Sequence, residues 1–164
     1  MTPPILNTKD MKEKLVTMIP KVIFCPVDFG GVSDAAVEAS ADLAAHFHAT
    51  LTLVHVVPML PKVPVKYLLH EGDYERELHK EAEDKLKASV AQLESKGVAA
   101  KYLVGTGNDV AGELLRLAEE AKADLIVMPT HGMTGWHPLV FASITEEVVK
   151  EAHCAVLVLR GPKA

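Results

Sequence analysis

The 164-residue chain has few aromatic side chains and no excess of positive charge. Phe, Trp and Tyr make up 5% of the residues, and 17 Lys and Arg stand against 22 Asp and Glu, for a formal net charge of −5. Proteins that bind duplex DNA or RNA neutralise phosphates with clustered basic residues, so this balance argues against a nucleic-acid binder. No apolar run approaches the roughly 18 residues that cross a bilayer, so we expect no membrane partner.

The chain also has only two cysteines and no recognisable leader. Cys25 and Cys154 both lie within apolar runs, and we interpret them as buried small hydrophobic residues of a reduced compartment. Residues 1–9 have neither the charged region nor the long apolar stretch of a secretory signal. These features predict a cytoplasmic protein.

Motifs of metal binding and catalysis are missing as well. Although the chain has eight histidines, it contains no Cys-x2-Cys and no His-Glu-x2-His, so we expect no metal site. Neither a phosphate-binding Gly-x4-Gly-Lys-Ser/Thr nor a Gly-x-Ser-x-Gly nucleophile elbow occurs. The Gly-x-Gly at Gly105 and Gly107 has no third glycine at the dinucleotide spacing. A dedicated enzyme is therefore not expected.

What the chain does contain is an alternation of two patterns. Apolar runs rich in Val, Ile and Leu predict five strands, at 21–27, 50–57, 99–104, 124–128 and 155–159. Helical periodicity predicts four helices, at 34–48, 73–96, 110–121 and 143–152, the third capped by Asn108 or Asp109. The first is expected to bury Ala35, Val37, Leu43 and Phe47, and the second Leu78, Ala82, Leu86, Val90 and Leu93.

This alternation predicts an α/β fold, with a Rossmann-like open parallel five-stranded sheet and helices on both faces. Ligands of such sheets bind at the carboxyl ends of the strands, near the point where the strand order reverses. Residues 21–164 would form this domain. Residues 1–20 form an N-terminal extension, in which 9–19 are compatible with an amphipathic helix that packs on the domain or on a partner. The proline-rich stretch 58–72 is interpreted as a variable flap.

The most informative stretch follows the fourth strand. The apolar run stops at Pro129, a loop with Gly132 and Gly135 follows, and a helix is predicted to open at Ser143. Ser143 is a good N-cap, and Glu146 three residues later completes a capping box. A strand, a glycine loop and a helix N-terminus in this order direct backbone N–H groups at an anion.

Five motifs in order resemble the universal stress protein family over roughly residues 20–160. They are Val-Ile-Phe-Cys-Pro-Val-Asp at 22–28, Leu-Val-His-Val at 53–56, Ile-Val-Met-Pro-Thr-His-Gly at 126–132, Ser-Ile-Thr-Glu-Glu-Val-Val at 143–149 and Cys-Ala-Val-Leu-Val-Leu-Arg at 154–160. The resemblance implies the adenine nucleotide alpha hydrolase-like fold. It further implies a stress-response protein that binds ATP, with Mg, or another adenine nucleotide, and that acts as a homodimeric signalling or protective module through its last strand.

The resemblance also implies a set of nucleotide-binding residues: Pro26, Asp28, Val56, Met128, Gly132, Ser143 and Ile144. Asp28 would accept from the adenine amino group or the ribose, and the backbone of Val56 would meet the base edge. Gly132 would let the backbone approach the phosphates, which the N–H groups of Ser143 and Ile144 would bind. His137, when protonated, would add a cation.

The predicted phosphate-binding residues depart from the family's glycine pattern. Nucleotide-binding members resemble the pattern Gly-x2-Gly-x9-Gly-Ser/Thr, and here its positions hold Pro129, Gly132, Ala142 and Ser143. If the third position requires a positive φ, an alanine there is strained by about 1 kcal/mol, and its methyl group crowds a phosphate. The alternative hypothesis is therefore a non-nucleotide-binding universal stress protein that acts through dimerisation and partner interaction.

Several single residues keep two interpretations. Asp28 is either a ligand residue or a cap for the first helix, where Ser33 and Asp34 compete for that role. His55 on an apolar strand is either a ligand or, as is more common, a hydrogen-bonded core histidine. The capping role of Ser143 is compatible with a phosphate contact.

Overall fold

The computed structural model of the protein describes residues 19–59, 71–129 and 138–160. The strands in these segments are β1 (Val22–Pro26), β2 (Thr50–Val57), β3 (Ala100–Thr106), β4 (Leu125–Pro129) and β5 (Ala155–Leu159). The helices are α1 (Gly31–Phe47), α2 (Glu71–Ser95), α3 (Val110–Glu120) and α4 (Pro138–Glu151). Strand and helix alternate along the chain as the sequence predicts.

The five strands form one sheet in the order β3-β2-β1-β4-β5, and its four pairings are all parallel. The order reverses at β1, whose neighbours β2 and β4 lead outward to the two edges. This confirms the predicted open parallel sheet and places its switch point between β1 and β4.

Two hydrophobic clusters cover opposite faces of the sheet, because alternate residues of a strand point to opposite sides. On one face, Ile23 and Cys25 of β1 pack with α1 and α2. On the other, Phe24 packs with α3 and α4. The helices therefore lie on both faces, as predicted.

The contact face of α1 agrees with the prediction in part, since Val37, Leu43 and Phe47 are half-buried against the core, and that of α2 agrees with it. The fully buried residues described in α1 are Ser33, Ala36, Ser40 and Ala44, while the predicted Ala35 is exposed. Small residues three or four apart form this face because they allow the helix axis to approach the sheet closely. In α2 the predicted Ala82, Leu86 and Leu93 are buried, and Leu78 and Val90 are half-buried.

The start of α3 settles the choice between two caps. Asp109 is the N-cap, and its Oδ1 accepts from the backbone N–H of Gly112 at 2.9 Å. The glycine pair upstream has a packing role here, since a Cβ at Gly105 would lie 2.8 Å from Leu117 Cδ1. This glycine lets α3 close against the sheet.

The prediction that α4 opens at Ser143 is wrong. The helix begins at Pro138, so Ser143 is its sixth residue and not its N-cap. Proline suits the first helical position because its φ is already helical and the N–H it lacks would have no partner in the helix. In a helix from Pro138, Ala142 has helical dihedrals, and the strain expected of a positive φ does not arise there.

Some predicted features fall outside the described residues: positions 9–18 of the N-terminal helix, most of the 58–72 flap, and the loop with Gly132, Gly135 and His137. None of the helices in the described segments combines the length and apolarity needed to cross a membrane.

Two buried threonines provide a matched test of the packing. The Thr52 hydroxyl, fully buried in β2, has no hydrogen-bond partner among the described residues, whereas the Thr145 hydroxyl in α4 donates to the carbonyl oxygen of Pro129 at 3.2 Å. Replacing Thr52 by the isosteric valine removes an unsatisfied polar group, so we expect T52V to raise the free energy of unfolding by about 1 kcal/mol.

The matched variant is Thr145→Val. It leaves the carbonyl of Pro129 without its donor, so we expect a loss of about 1 kcal/mol. Urea denaturation followed by circular dichroism measures both changes. Equal destabilisation by the two substitutions would contradict the assignment of Thr52 as unsatisfied.

Candidate functional site

The carboxyl ends of β1 and β4 lie at the switch point, and the region between them is called the crevice here. The pairing of β1 with β4 ends at Phe24 and Ile126, although the two strands continue to Pro26 and Pro129. Beyond Phe24 the strands are therefore no longer joined by ladder hydrogen bonds, and their carboxyl ends are free to separate. The predicted site residues Pro26 and Met128 lie in these terminal segments, and both are buried.

Asp28 follows β1 at this crevice and is half-buried. Its Oδ1 accepts from the backbone N–H of Gly30 at 2.9 Å and from the hydroxyl of the buried Ser33. The Asp28 N–H donates back to Ser33 Oγ at 3.0 Å. Asp28 thus orders the turn into α1, while Oδ2 has no partner among the described residues. Its structural role and a ligand role are compatible.

Val56 has its peptide groups directed at the segment that follows β1. The Val54 carbonyl accepts from Val27 N–H at 2.7 Å, and the pairing of β1 with β2 ends there. Every second residue of a strand directs its N–H and C=O toward the same neighbouring strand, so Val54 and Val56 face the same side. The peptide groups of Val56 therefore face the β1 side, beyond the last bond of that ladder, as contact with a planar hydrogen-bonding ligand would require.

Phe29 is a residue of this site that sequence reasoning missed. Its φ of 60° lies in the left-handed region, which costs a non-glycine residue roughly 1–3 kcal/mol. The ring is held from two sides, because it stacks on His55 with centroids 4.5 Å apart and carries Lys85 Nζ 5.0 Å from its centroid. The sequence gives no signal for a positive φ at a phenylalanine, so Phe29 could not be distinguished from other loop residues.

His55 is a hydrogen-bonded core histidine, the more common of its two interpretations. Its Nδ1 lies 2.7 Å from the carbonyl oxygen of Val27, which fixes the segment that leads to Asp28. Burial lowers the pKa of His55 below its usual 6.5, and Lys85 adds to the shift, against opposing effects of the Val27 hydrogen bond and of Asp28. The imidazole is therefore neutral around pH 7.

The anion-binding half of the predicted site is described only in part. Gly132 and the Ser143 side chain lie outside the described residues, and Ile144 is half-buried in α4. Because α4 starts at Pro138, the backbone N–H groups of Ser143 and Ile144 fall within the helical ladder rather than among the free groups of a helix N-terminus. Among the described residues, Thr145 of α4 donates a hydrogen bond to the carbonyl oxygen of Pro129 at the end of β4.

The cysteines behave as structural residues. Cys25 is fully buried, and burial raises the pKa of its thiol to about 12. Cys154 is half-buried, and burial raises its pKa as well. In the described part of the chain, no group of three or more His, Cys, Asp or Glu side chains is arranged to hold a metal ion.

Comparison with known proteins gives one consistent result. The model of the universal stress protein family matches residues 20–160. The universal stress protein MJ0531 of Methanocaldococcus jannaschii is 36% identical over 146 residues, which are 87% of this chain and 84% of that protein. The solved structure of MJ0577, from the same organism, superposes with a TM-score of 0.73 at 26% identity and covers 88% of this chain and 98% of its own.

A universal stress protein of Archaeoglobus fulgidus, solved in complex with dAMP, superposes with a TM-score of 0.57. Its sequence identity is 16%, and the match covers 84% of this chain and 94% of that one. At this identity the likeness concerns the fold alone.

The lowered pKa of His55 predicts a pH dependence of stability. The unfolded state, with a histidine pKa near 6.5, binds the proton more readily than the folded state does. The stability that the neutral His55 contributes is therefore complete above about pH 6.5 and is lost as the pH falls toward the folded-state pKa. NMR titration of the imidazole is expected to show a midpoint below 6.5.

The control is His55→Asn, which cannot titrate. The difference in unfolding free energy between the protein and this variant should shrink as the pH falls from 7 to 5. A difference that stays constant with pH, or a midpoint above 6.5, would contradict the role of burial.

Proposed function

The chain belongs to the universal stress protein family, and from this we propose that it binds an adenine nucleotide in the crevice between β1 and β4. One observation carries the proposal. The free Oδ2 of Asp28 and the outward peptide groups of Val56 lie at the carboxyl ends of neighbouring strands, at the switch point where α/β sheets bind ligands.

The base and ribose would occupy the end of the crevice nearest β1. The N–H and C=O of Val56 match the adjacent acceptor and donor on the edge of an adenine. Asp28 Oδ2 accepts from the amino group of the base or from a ribose hydroxyl, while Oδ1 keeps its turn bonds to Gly30 and Ser33. Pro26 and Met128 supply the apolar lining.

The phosphates would bind near Gly132 and the first turns of α4. For the N–H groups of Ser143 and Ile144 to reach them, α4 must begin at Ser143 in the complex, so residues 138–142 leave the helix on binding. Helix ends fray readily, so the first turn of α4 can unwind at a small cost in free energy. The ligand is ATP, with Mg²⁺ carried by its phosphates.

The dAMP complex of the A. fulgidus protein supports this choice of ligand class, because it shows that the fold accommodates an adenine nucleotide. We propose a binding and signalling role rather than a reaction. The Ser33 hydroxyl that donates to Asp28 is buried and orders the turn into α1, and the hydrogen-bonded His55 serves to fix the backbone.

A second function is favoured by the edge strand β5. It pairs on one side only, with β4, and its Leu157 side chain is 37% exposed. An apolar edge of this kind is suited to pairing with a second copy. The competing proposal is a universal stress protein that acts through this homodimer and its partners without nucleotide.

Asp28→Asn tests the nucleotide site, because asparagine keeps an Oδ1 acceptor for Gly30 and Ser33 but replaces Oδ2 by a donor. Hydrogen bonds to a charged group contribute about 1.5–3 kcal/mol, so we expect roughly tenfold or greater weakening of ATP binding in calorimetric titrations with Mg²⁺.

The matched control is Asp124→Asn, at the opposite end of the sheet. Asp124 Oδ2 also orders a turn, by accepting from the N–H groups of Lys21 and Val22 at 2.8 and 2.9 Å. ATP affinity should not change in this variant. If the unaltered protein gives no heat at millimolar ATP, the nucleotide proposal fails and the dimerisation proposal takes its place.

Ala142→Gly probes the departure from the family's glycine pattern. Glycine removes the methyl group and weakens the first turns of α4 by about 1 kcal/mol, and both effects favour a helix that starts at Ser143. ATP affinity should therefore rise, by roughly fivefold for a change of about 1 kcal/mol. An unchanged or lower affinity in the same titration would show that Ala142 is not the obstacle.

A further inference from the structure

A groove of about 650 Å³ runs between α1 and α2, and at one end it adjoins Phe29 and Ser33 beside the turn that holds Asp28. Its floor is apolar and reaches down to the sheet at Val27 and Leu53, with Val37, Leu93 and Val98 along its walls. A groove with an apolar floor between two helices is the usual seat of an amphipathic helix.

The two rims of this groove differ in charge. On the α1 side the exposed carboxylates of Asp34, Glu38 and Asp42 follow each other at four-residue spacing. None of the three forms an ion pair with a described residue. The α2 side contributes Ser89, Gln92 and Lys96. With three carboxylates against one lysine, the groove favours a cationic occupant.

The N-terminal extension has the complementary pattern. Residues 9–18 carry the apolar stripe Met11, Leu15 and Met18, and on a helix Lys12 and Lys14 flank that stripe on its two sides, at about 100° per residue. Residues 9–14 hold three lysines against two acidic residues. The family match begins at residue 20, so the extension is an addition to the common domain.

The extension starts close to the groove. Thr50 N–H donates to Lys21 O, and Leu51 N–H donates to Ala99 O. Lys21 is therefore two strand spacings, about 10 Å, from Ala99, which adjoins the lower end of the groove at Val98. The three residues that precede Lys21 can span up to about 10 Å when the chain is extended. Next to this path Ile19 is 64% exposed, an apolar side chain without cover.

The lengths also agree. The groove follows α1 from Asp34 to Ala45, which is about 17 Å of helix, and a helix over residues 9–18 measures about 14 Å. If its C-terminal end lies at the end of the groove near Val98, such a helix runs parallel to α1. Its lysines then lie beside the three carboxylates of the α1 rim.

We propose that residues 9–18 form a helix that docks in the α1/α2 groove of the same chain, with its apolar stripe on the floor and its lysines at the Asp34, Glu38 and Asp42 rim. The proposal does not rest on nucleotide binding, although Phe29 and Ser33 border both this groove and the turn that holds Asp28. It gives the extension a defined place on the domain.

Digestion of the full-length protein by a lysine-specific protease tests the proposal, with cleavage after Lys9, Lys12 and Lys14 followed by intact mass. Docking protects these lysines. Glu38→Gln with Asp42→Asn removes the rim charge, and since each exposed ion pair changes an equilibrium by a factor of about two, cleavage should speed up about threefold or more. Met11→Glu with Leu15→Glu disrupts the stripe and should accelerate cleavage about tenfold or more.

The matched control is Glu94→Gln with Glu147→Gln, which makes the same charge change at exposed positions outside the groove. It should leave the cleavage rate unchanged. The protection should also survive roughly hundredfold dilution, because the docking is intramolecular. Equal cleavage of all variants would overturn the proposal, and protection that disappears on dilution would overturn it in favour of docking on a second copy.

Discussion

The position of β1 between β2 and β4 is the constraint on which the rest of the molecule depends. Because the strand order reverses there, the chain crosses over on opposite faces of the sheet on either side of β1. The β1–β4 ladder ends at Phe24, so the carboxyl ends of these two strands extend beyond their last paired residues. The place of the candidate site thus follows from topology, and its residues follow from the local sequence.

The sequence predicted the strands and the order of elements well, because buried parallel strands are continuous apolar runs. It was less accurate where small residues or helix ends decide the outcome. The α1 face of Ala36, Ser40 and Ala44 carries little hydrophobic signal, and the start of α4 at Pro138 was hidden by the stronger capping pattern of Ser143.

The candidate site could be predicted in part from the sequence. Asp28 and Val56 followed from strand ends and from the family resemblance. The support around them could not, since the left-handed Phe29, its stacking on His55 and the bond from His55 to Val27 O depend on tertiary contacts between segments far apart in the chain. These contacts hold the backbone that presents Asp28.

The bonds from Lys21 and Val22 to Asp124 have a mechanical consequence. They connect the start of β1 to the residue just before β4. A force applied to the N-terminal segment would therefore act first on these two hydrogen bonds. A fusion or tether added ahead of residue 19 would therefore act on the amino ends of the strands, at the opposite end of the sheet from Asp28.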